Sequence, residues 1–179
     1  MHELYPLLSE HDIAEKVRGL AKRISADYKG RELVIVGVLK GVFVFLADLA
    51  RRLTIPVKID FVWCSSYADR ATSTETVERI AGIRTDIAGK DVLIVEDILD
   101  TGLTIKELLA YLESFNPQSI KVCALIDKHE RRSMDIEADY VGHRSEKGFL
   151  VGYGLDYAEN YRHLPAIYEL KNIISEDAK

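Results

Sequence analysis

The pattern of apolar positions divides the chain into segments of two kinds. Short, largely apolar segments predict strands, and they span 33–39, 57–65, 92–95 and 120–126. Apolar residues at helical spacing predict amphipathic helices over 9–28, 43–53 and 104–115. Because strands and amphipathic helices alternate, we expect an α/β fold with a parallel, twisted sheet flanked by helices. Sheets of this kind bind their ligands at the carboxyl ends of the strands.

One long polar stretch interrupts this alternation. Residues 65–82 carry many charged and hydroxyl side chains and follow neither periodicity, so they predict an exposed loop. Irregular stretches of this length in a compact domain are usually disordered or form lids over a site. The stretch is therefore a candidate lid.

Composition and charge narrow the class of protein. The chain has 179 residues, of which 47% are hydrophobic, and this suits a single domain over 1–179 with its own core. Its net charge of −5 argues against nucleic-acid binding, which needs a concentrated basic face. No apolar run approaches the roughly 20 residues that span a bilayer, and no signal peptide is evident. Cys64 and Cys123 lack metal-ligand spacing, so we interpret them as reduced thiols of a cytoplasmic protein.

The segment 92–104, with the sequence VLIVEDILDTGLT, contains the strongest candidate for a binding site. A buried strand is followed by a short loop and a helix, and backbone N–H groups at a helix N-terminus bind anions. Thr101 and Thr104 add hydroxyl donors, and Gly102 allows the backbone to approach a phosphate closely. The loop contains no basic residue and neither the Walker nor the dinucleotide glycine pattern, so it predicts a single terminal phosphate as its ligand.

Three acidic residues lie beside this predicted phosphate site. Glu96, Asp97 and Asp100 would repel an anion, so we expect them to hold a metal ion or to accept hydrogen bonds from sugar hydroxyls. A phosphate next to a diol describes a ribose 5-phosphate. In the simpler alternative, Asp100 or Thr101 caps the helix and the other acids are solvated. That alternative would be the better explanation for a single acidic residue, but it explains three acidic residues beside one loop less well.

The same segment resembles the motif with which type I phosphoribosyltransferases bind 5-phosphoribosyl 1-pyrophosphate (PRPP). The version of the motif that has an aspartate three residues after the acidic pair, here Asp100, resembles that of the hypoxanthine-guanine branch of the family. The resemblance implies the family's fold, in which the N- and C-terminal parts form a small hood. It implies that Glu96 and Asp97 bind the ribose hydroxyls and Mg²⁺, and that Asp100 is the general base at N7 of the purine. The 5-phosphate would be bound by Asp100, Thr101, Gly102, Leu103 and Thr104.

Two further segments resemble the pyrophosphate subsite of the family. Lys40 and Gly41 follow the first predicted strand, where the family has a loop with a cis peptide, here Leu39–Lys40. Val42 departs from the small residue that often follows in the family. Arg162 is expected to reach the pyrophosphate as well. Taken alone, Lys40 would be an ordinary solvated lysine at a strand end.

The purine subsite is implied by residues nearer the C-terminus. Lys128 is expected to recognise the 6-oxo group, Phe149 to stack on the base, and the backbone of Leu150 to meet its 2-position. Asp156 is expected to bind a second Mg²⁺. Each residue alone could be solvated, buried in the core or part of a turn, but together they follow the order of the family.

The resemblance implies an enzyme of purine salvage with Mg²⁺ as its cofactor. It would transfer the 5-phosphoribosyl group of PRPP to N9 of hypoxanthine or guanine, giving IMP or GMP and pyrophosphate. Ser66 and Tyr67 resemble the loop that closes over the reacting sugar and excludes water. Relatives are usually homodimers or homotetramers, so we expect self-association, and we expect no nucleic-acid or membrane partner.

Three alternatives remain open at this point. A non-catalytic regulator on the same fold would sense PRPP or a nucleotide, but it would not need a base at Asp100. A xanthine-preferring transferase would differ only in its contacts at the 2-position of the base. A phosphohydrolase with an aspartyl-phosphate intermediate would need two acids two positions apart, whereas Asp97 and Asp100 are three apart.

Overall fold

The computed structural model describes residues 2–68 and 75–172, with the backbone alone for 65–68 and 75–81. Its strands are β1 (Glu3–Leu8), β2 (Leu33–Leu39), β3 (Val57–Ala68), β4 (Glu75–Ala81), β5 (Asp91–Leu99), β6 (Ser119–Lys128), β7 (Tyr140–Ser145), β8 (Phe149–Val151) and β9 (Ile167–Lys171). Its helices are α1 (Glu10–Asp27), α2 (Phe43–Ala50) and α3 (Leu103–Glu113). This order of elements confirms the α/β class that the apolar pattern predicts.

The larger sheet has the strand order β4-β3-β2-β5-β6-β7 within the described residues. Strands β3, β2, β5, β6 and β7 are parallel, and β4 pairs antiparallel with β3 at one edge. β2 and β5 lie in the middle, with Leu33 opposite Asp91 and Gly37 opposite Val95. These two strands are covered on both faces, which explains why their sequences are nearly continuous apolar runs.

Helices cover both faces of this sheet. α1 and α2 pack on the face that carries Leu33 of β2, and α3 packs on the opposite face with Val34. α1 begins after Ser9, whose hydroxyl accepts a hydrogen bond from the N–H of Asp12 at 3.2 Å. The carboxylate of Asp12 accepts one from the N–H of Ser9 at 3.0 Å. This reciprocal cap confirms the helix start predicted at residue 9.

Several predicted boundaries shift. α2 ends at Ala50 rather than at 53, and the chain turns at 51–52 before it reaches Pro56. β5 continues to Leu99 and β6 to Lys128, so both strands run past the end of their apolar segments into polar residues of the candidate site. Val42, the departure from the family pattern, is fully buried in the core next to α2.

The prediction of an irregular loop over 65–82 was wrong for most of its length. Ser66 and Tyr67 lie in β3 opposite Val77 and Thr76 of β4, so the polar stretch forms two arms of an antiparallel pair. β4 is an edge strand, and edge strands commonly carry charged side chains, so this stretch shows no clear apolar alternation. The remainder of the predicted lid, residues 69–74, lies outside the described residues.

A second, smaller sheet forms the hood that the resemblance implies. It has the order β1-β9-β8, with all pairs antiparallel, and it joins the two ends of the chain through the pair Glu3 and Lys171. β8 carries Phe149 and Leu150, so this sheet brings the predicted purine residues towards the larger sheet. The hood is confirmed, although its short strands gave no clear signal in the sequence.

Two expectations about the chemistry of the chain can be compared with the structure. Across residues 2–68 and 75–172, no helix is both long and apolar enough to cross a bilayer. Cys64 and Cys123 form no disulfide, as predicted. Cys123 is completely buried, and this burial raises the pKa of its thiol far above the ordinary value.

Candidate active site

The loop between β5 and α3 forms one end of the candidate site. Gly102 has a φ of +85°, and a Cβ there would lie 3.1 Å from Cβ of Met134. The carbonyl of Thr101 accepts a hydrogen bond from the N–H of Met134 at 3.1 Å, and its hydroxyl accepts one from the N–H of Leu103 at 3.3 Å. A cavity of about 280 Å³ is lined by Thr101, Gly102 and Thr104. The predicted phosphate loop is thus fixed in conformation and accessible to a ligand.

The acidic pair lies inside the sheet, near the end of β5. Glu96 and Asp97 are only 8% and 7% exposed. Burial raises the pKa of Glu96 well above its ordinary value, and the neighbouring carboxylate of Asp97 raises it further. Burial also raises the pKa of Asp97, although the N–H of Ile98 donates to its carboxylate at 2.9 Å.

One oxygen of this pair is left unsatisfied. Among the described residues, Oε2 of Glu96 has no hydrogen-bond partner. A buried polar atom without a partner costs on the order of 1–3 kcal/mol. The acidic pair therefore fits a ligand that supplies hydroxyl donors or a cation.

The predicted pyrophosphate loop packs tightly between the acidic pair and the hood. The Leu39–Lys40 peptide is cis, as the resemblance implies. A Cβ on Gly41 would lie 1.7 Å from Oδ2 of Asp97, and a Cβ on Gly154 would lie 2.0 Å from the carbonyl oxygen of Gly41. Both contacts are far shorter than any real Cβ allows, so only glycine at both positions lets the loop lie this close to the acids.

The residues assigned to pyrophosphate and to the second Mg²⁺ are held together by ion pairs. Nη2 of Arg162 lies 2.8 Å from Oδ1 of Asp156, and Nη1 of Arg162 donates to the carbonyl of Gly154 at 2.8 Å. Glu159, which the sequence did not single out, contacts Nη2 of Arg162 at 3.3 Å and Nζ of Lys40 at 3.1 Å. These contacts bring the cationic groups of Lys40 and Arg162 to the same side of the cleft.

A second cavity, of about 590 Å³, brings the predicted purine residues together with Asp100. Nζ of Lys128 lies 3.6 Å from Oδ2 of Asp100, and the lysine side chain is only 7% exposed. Phe149 is 41% exposed, and its ring contacts Tyr157 edge-on with the ring centroids 5.4 Å apart. The backbone of β8 continues into the buried Leu150. An accessible aromatic face beside a buried lysine suits a planar base with a carbonyl group.

The two cavities form one cleft because they share lining residues, among them Lys40, Gly41 and Asp100. The phosphate loop lies at one end, the aromatic ring of Phe149 at the other, and the buried acids between them. This arrangement suits a substrate that combines a phosphate, a sugar and a planar base.

Comparison with known proteins agrees with this geometry. Residues 6–158 match the family model of the phosphoribosyl transferase domain. The chain belongs to the phosphoribosyltransferase family. It is 46% identical over 167 residues to the hypoxanthine-guanine phosphoribosyltransferase of Aquifex aeolicus, a match that covers 93% of this chain and 94% of the relative. It is 40% identical over 168 residues to the hypoxanthine phosphoribosyltransferase of Salmonella typhimurium, with 93% and 94% covered.

A solved structure of another phosphoribosyltransferase has the same fold. The crystal structure of a hypoxanthine-guanine phosphoribosyltransferase from Bacillus anthracis matches with a TM-score of 0.88 and 43% identity, covering 95% of this chain and 99% of that one. The resemblance inferred from the segment 92–104 is therefore confirmed at the level of the family and of the fold.

In this phosphoribosyltransferase the sequence did not reveal the residue that connects the two ends of the cleft. Arg132 is a largely buried arginine in the connection after β6, and its side chain is 12% exposed. Its guanidinium donates to the carbonyls of Leu99 at 3.0 Å and Asp100 at 2.8 Å, and to Oδ1 of Asp127 at 2.5 Å. It also donates to the carbonyl of Lys128 at 3.2 Å. The surrounding sequence is polar and gave no signal of burial.

A second missed residue lies beside the predicted base. Nη1 of Arg131 is 3.6 Å from Oδ2 of Asp100, so this oxygen faces two cations, Arg131 and Lys128. The other oxygen, Oδ1, is buried and has no hydrogen-bond partner within the described part of the chain. The sequence places Arg131 in a charged run, where it resembles an ordinary solvated residue.

The residues present fit Mg²⁺ only as ligands shared with a substrate. Among the described residues, no group of three or more histidine, cysteine or acidic side chains could hold a metal ion alone. The unpartnered oxygen of Glu96 is nevertheless a suitable ligand atom, because Mg²⁺ is bound by one or two carboxylates together with substrate phosphates.

Proposed function

We propose that this chain transfers the 5-phosphoribosyl group of PRPP to N9 of hypoxanthine or guanine, releasing pyrophosphate and forming IMP or GMP in purine salvage. The observation that carries the proposal is the single cleft that holds the Thr101–Gly102 loop, the buried acids, and Asp100 beside Lys128 and Phe149. The names of relatives that are 40–46% identical over nearly the whole chain support it.

The proposed reaction assigns one task to each part of the cleft. The loop after β5 holds the 5-phosphate with backbone N–H groups and hydroxyls, and Glu96 and Asp97 accept hydrogen bonds from the ribose hydroxyls. Lys40 and Arg162 face the pyrophosphate. As the bond from C1 of the ribose to pyrophosphate breaks and the N9–C1 bond forms, Asp100 accepts the proton that leaves the purine.

The cofactor and the lid complete the proposal. Mg²⁺, held by Glu96, Asp97 and Asp156 together with substrate oxygens, would neutralise charge on the leaving pyrophosphate. Ser66 and Tyr67 lie on β3, and closure of this arm over the ribose remains our proposal, because a cationic ribosyl centre must be shielded from water.

An assay of PRPP consumption with four purines tests the proposal. We expect Mg²⁺-dependent turnover with hypoxanthine and guanine, and none with adenine, whose 6-amino group cannot accept a hydrogen bond from the Lys128 ammonium. Chromatography of IMP and GMP is the measurement. Binding of PRPP without any product would favour the non-catalytic regulator. Faster turnover with xanthine than with hypoxanthine or guanine would favour the xanthine-preferring transferase. A phosphorylated aspartate would favour the phosphohydrolase.

We also propose that the chain forms a homodimer or homotetramer, acts in the cytoplasm and works as one domain over 1–179. Ile59, Phe61 and Trp63 occupy alternate positions of β3 and are 42%, 40% and 37% exposed. They share the face of the sheet on which α2 packs, where Phe43 is 48% exposed. A cluster of large exposed apolar side chains favours association, here with a second copy of the chain.

Sedimentation velocity tests this interface. Wild-type protein is expected to sediment with at least twice the 20.2 kDa mass of one chain. Ile59→Glu should shift it towards the monomer, because it places a charge in an apolar contact. Phe115→Glu is the matched control, since Phe115 is similarly exposed (38%) but lies after α3 on the other side of the sheet. A wild-type monomer, or an equal effect of both variants, would contradict the proposed interface.

A further inference from the structure

Glu130 connects two separate chain segments that line the purine end of the cleft. It lies two residues after the end of β6 and lines the same cavity as Lys128 and Phe149. Its Oε2 lies 3.4 Å from Nζ of Lys128 and accepts a hydrogen bond from the N–H of Gly148 at 3.2 Å. One carboxylate oxygen thus contacts both the lysine at the end of β6 and the residue before Phe149.

The first contact determines where the lysine ammonium lies. Lys128 is only 7% exposed, and its Nζ lies between Oδ2 of Asp100 at 3.6 Å and Oε2 of Glu130 at 3.4 Å. A lysine ammonium is a point charge on a flexible stem, so its direction comes from its partners. Without Glu130, Asp100 would remain as the carboxylate partner, and the ammonium would shift towards Asp100. The opposing attraction of Glu130 keeps it between the two carboxylates.

The second contact fixes the turn that precedes the aromatic ring. Gly148 has a φ of +102°, a conformation that side chains rarely adopt, and it leads directly into Phe149 at the start of β8. The hydrogen bond from Gly148 to Glu130 ties this turn to the end of β6. The ring of Phe149 and the ammonium of Lys128 are therefore set relative to each other by one side chain.

We infer that Glu130 is a positioning residue of the purine subsite, which acts by orienting Lys128 and the turn before Phe149. The inference rests on the proposed function and deepens it. It adds a residue that does not belong to the motifs that mark the family resemblance. A half-exposed ion pair contributes little to folding stability, and the side chain of Glu130 is 47% exposed. Its effect should therefore appear in the binding of the base rather than in the melting temperature.

Steady-state kinetics with hypoxanthine or guanine test this role. Glu130→Ala is expected to raise the apparent KM for the purine about tenfold, with the KM for PRPP within about twofold of wild type. Glu130→Gln keeps an acceptor for the N–H of Gly148 but loses the charge, so we expect a smaller rise, of about threefold. Glu137→Ala removes an exposed carboxylate of the same connection outside the cavity, and it should leave both constants unchanged.

The double variant with Lys128→Ala separates a direct role from positioning. If Glu130 acts through the lysine, removing both side chains should raise the purine KM by less than the product of the two single effects. Full additivity, an equal rise in the KM for PRPP, or a purine KM in Glu130→Ala equal to that in Glu137→Ala would each overturn the inference.

A binding measurement keeps this test separate from the proposed function. Wild-type protein that binds GMP without any turnover would contradict the proposed reaction but not the role of Glu130. In that case the dissociation constant of GMP, measured by calorimetry, is expected to rise about tenfold in Glu130→Ala. An unchanged constant would refute the positioning role.

Discussion

Asp100→Asn is expected to lower kcat by about a hundredfold or more while the dissociation constant of PRPP changes by less than about threefold. An asparagine has the shape of aspartate but cannot accept the purine proton. The structure motivates this split, because Oδ2 of Asp100 faces Lys128 and Arg131 whereas Oδ1 is buried with no hydrogen-bond partner among the described residues. Asp100 lines both cavities of the cleft, so a base bound there would lie next to its carboxylate.

The measurement combines single-turnover kinetics with calorimetry of PRPP binding in the presence of Mg²⁺. Asp135→Asn is the matched control, since Asp135 is an exposed aspartate of the connection after β6 and does not line the cleft. Equal losses in kcat and in PRPP affinity would show that Asp100 mainly holds the phosphate loop. A kcat close to that of wild type would show that Asp100 is not the general base.

The parts of this fold that follow from the sequence are those in which burial is periodic. The run over 33–39 coincides with β2 because every residue except the last is buried between helices on both faces. β5 and β6 were recognised but were predicted to end too early, since charged residues follow their apolar runs: Glu96 and Asp97 in β5, and Asp127 and Lys128 in β6. β3 was recognised over 57–65, but its last residues and β4 were not, because that stretch is polar and shows no apolar periodicity. The hood strands went unrecognised because their pairing is set by distant residues, such as Lys171 opposite Glu3.

The residues of the candidate site also fall into two groups: those that local sequence predicts and those that depend on distant segments. The segment 92–104 carries its phosphate loop and its acids within a few residues, so local sequence was enough to find them. The close contact of Gly41 with both Asp97 and Gly154 depends on three distant segments, and no local pattern marks it. The same holds for Glu130 and for Glu159, whose partners lie 18 and 119 residues away along the chain.

Arg132→Met is expected to lower the free energy of unfolding by about 3–5 kcal/mol, since it removes the cation beside a buried carboxylate. Asp127 is 2% exposed, and Arg132 donates to it at 2.5 Å. The same guanidinium holds the carbonyl of Leu99 at the end of β5, that of Asp100 at the start of the phosphate loop and that of Lys128 at the purine end. In the fraction that remains folded, KM should therefore rise for PRPP and for the purine together.

Arg144→Met is the matched control for this prediction. Arg144 contacts the same carboxylate of Asp127 at 3.9 Å, but its side chain is 74% exposed, so its loss should cost no more than about 1 kcal/mol. Urea unfolding gives the free energies, and Arg132→Lys, which keeps the charge but loses the fork of donors, should fall between the two variants. If Arg132→Met unfolds at the same urea concentration as Arg144→Met, the network around Asp127 does not stabilise the fold. If its KM rises for one substrate alone, Arg132 does not connect the phosphate loop to the purine end of the cleft.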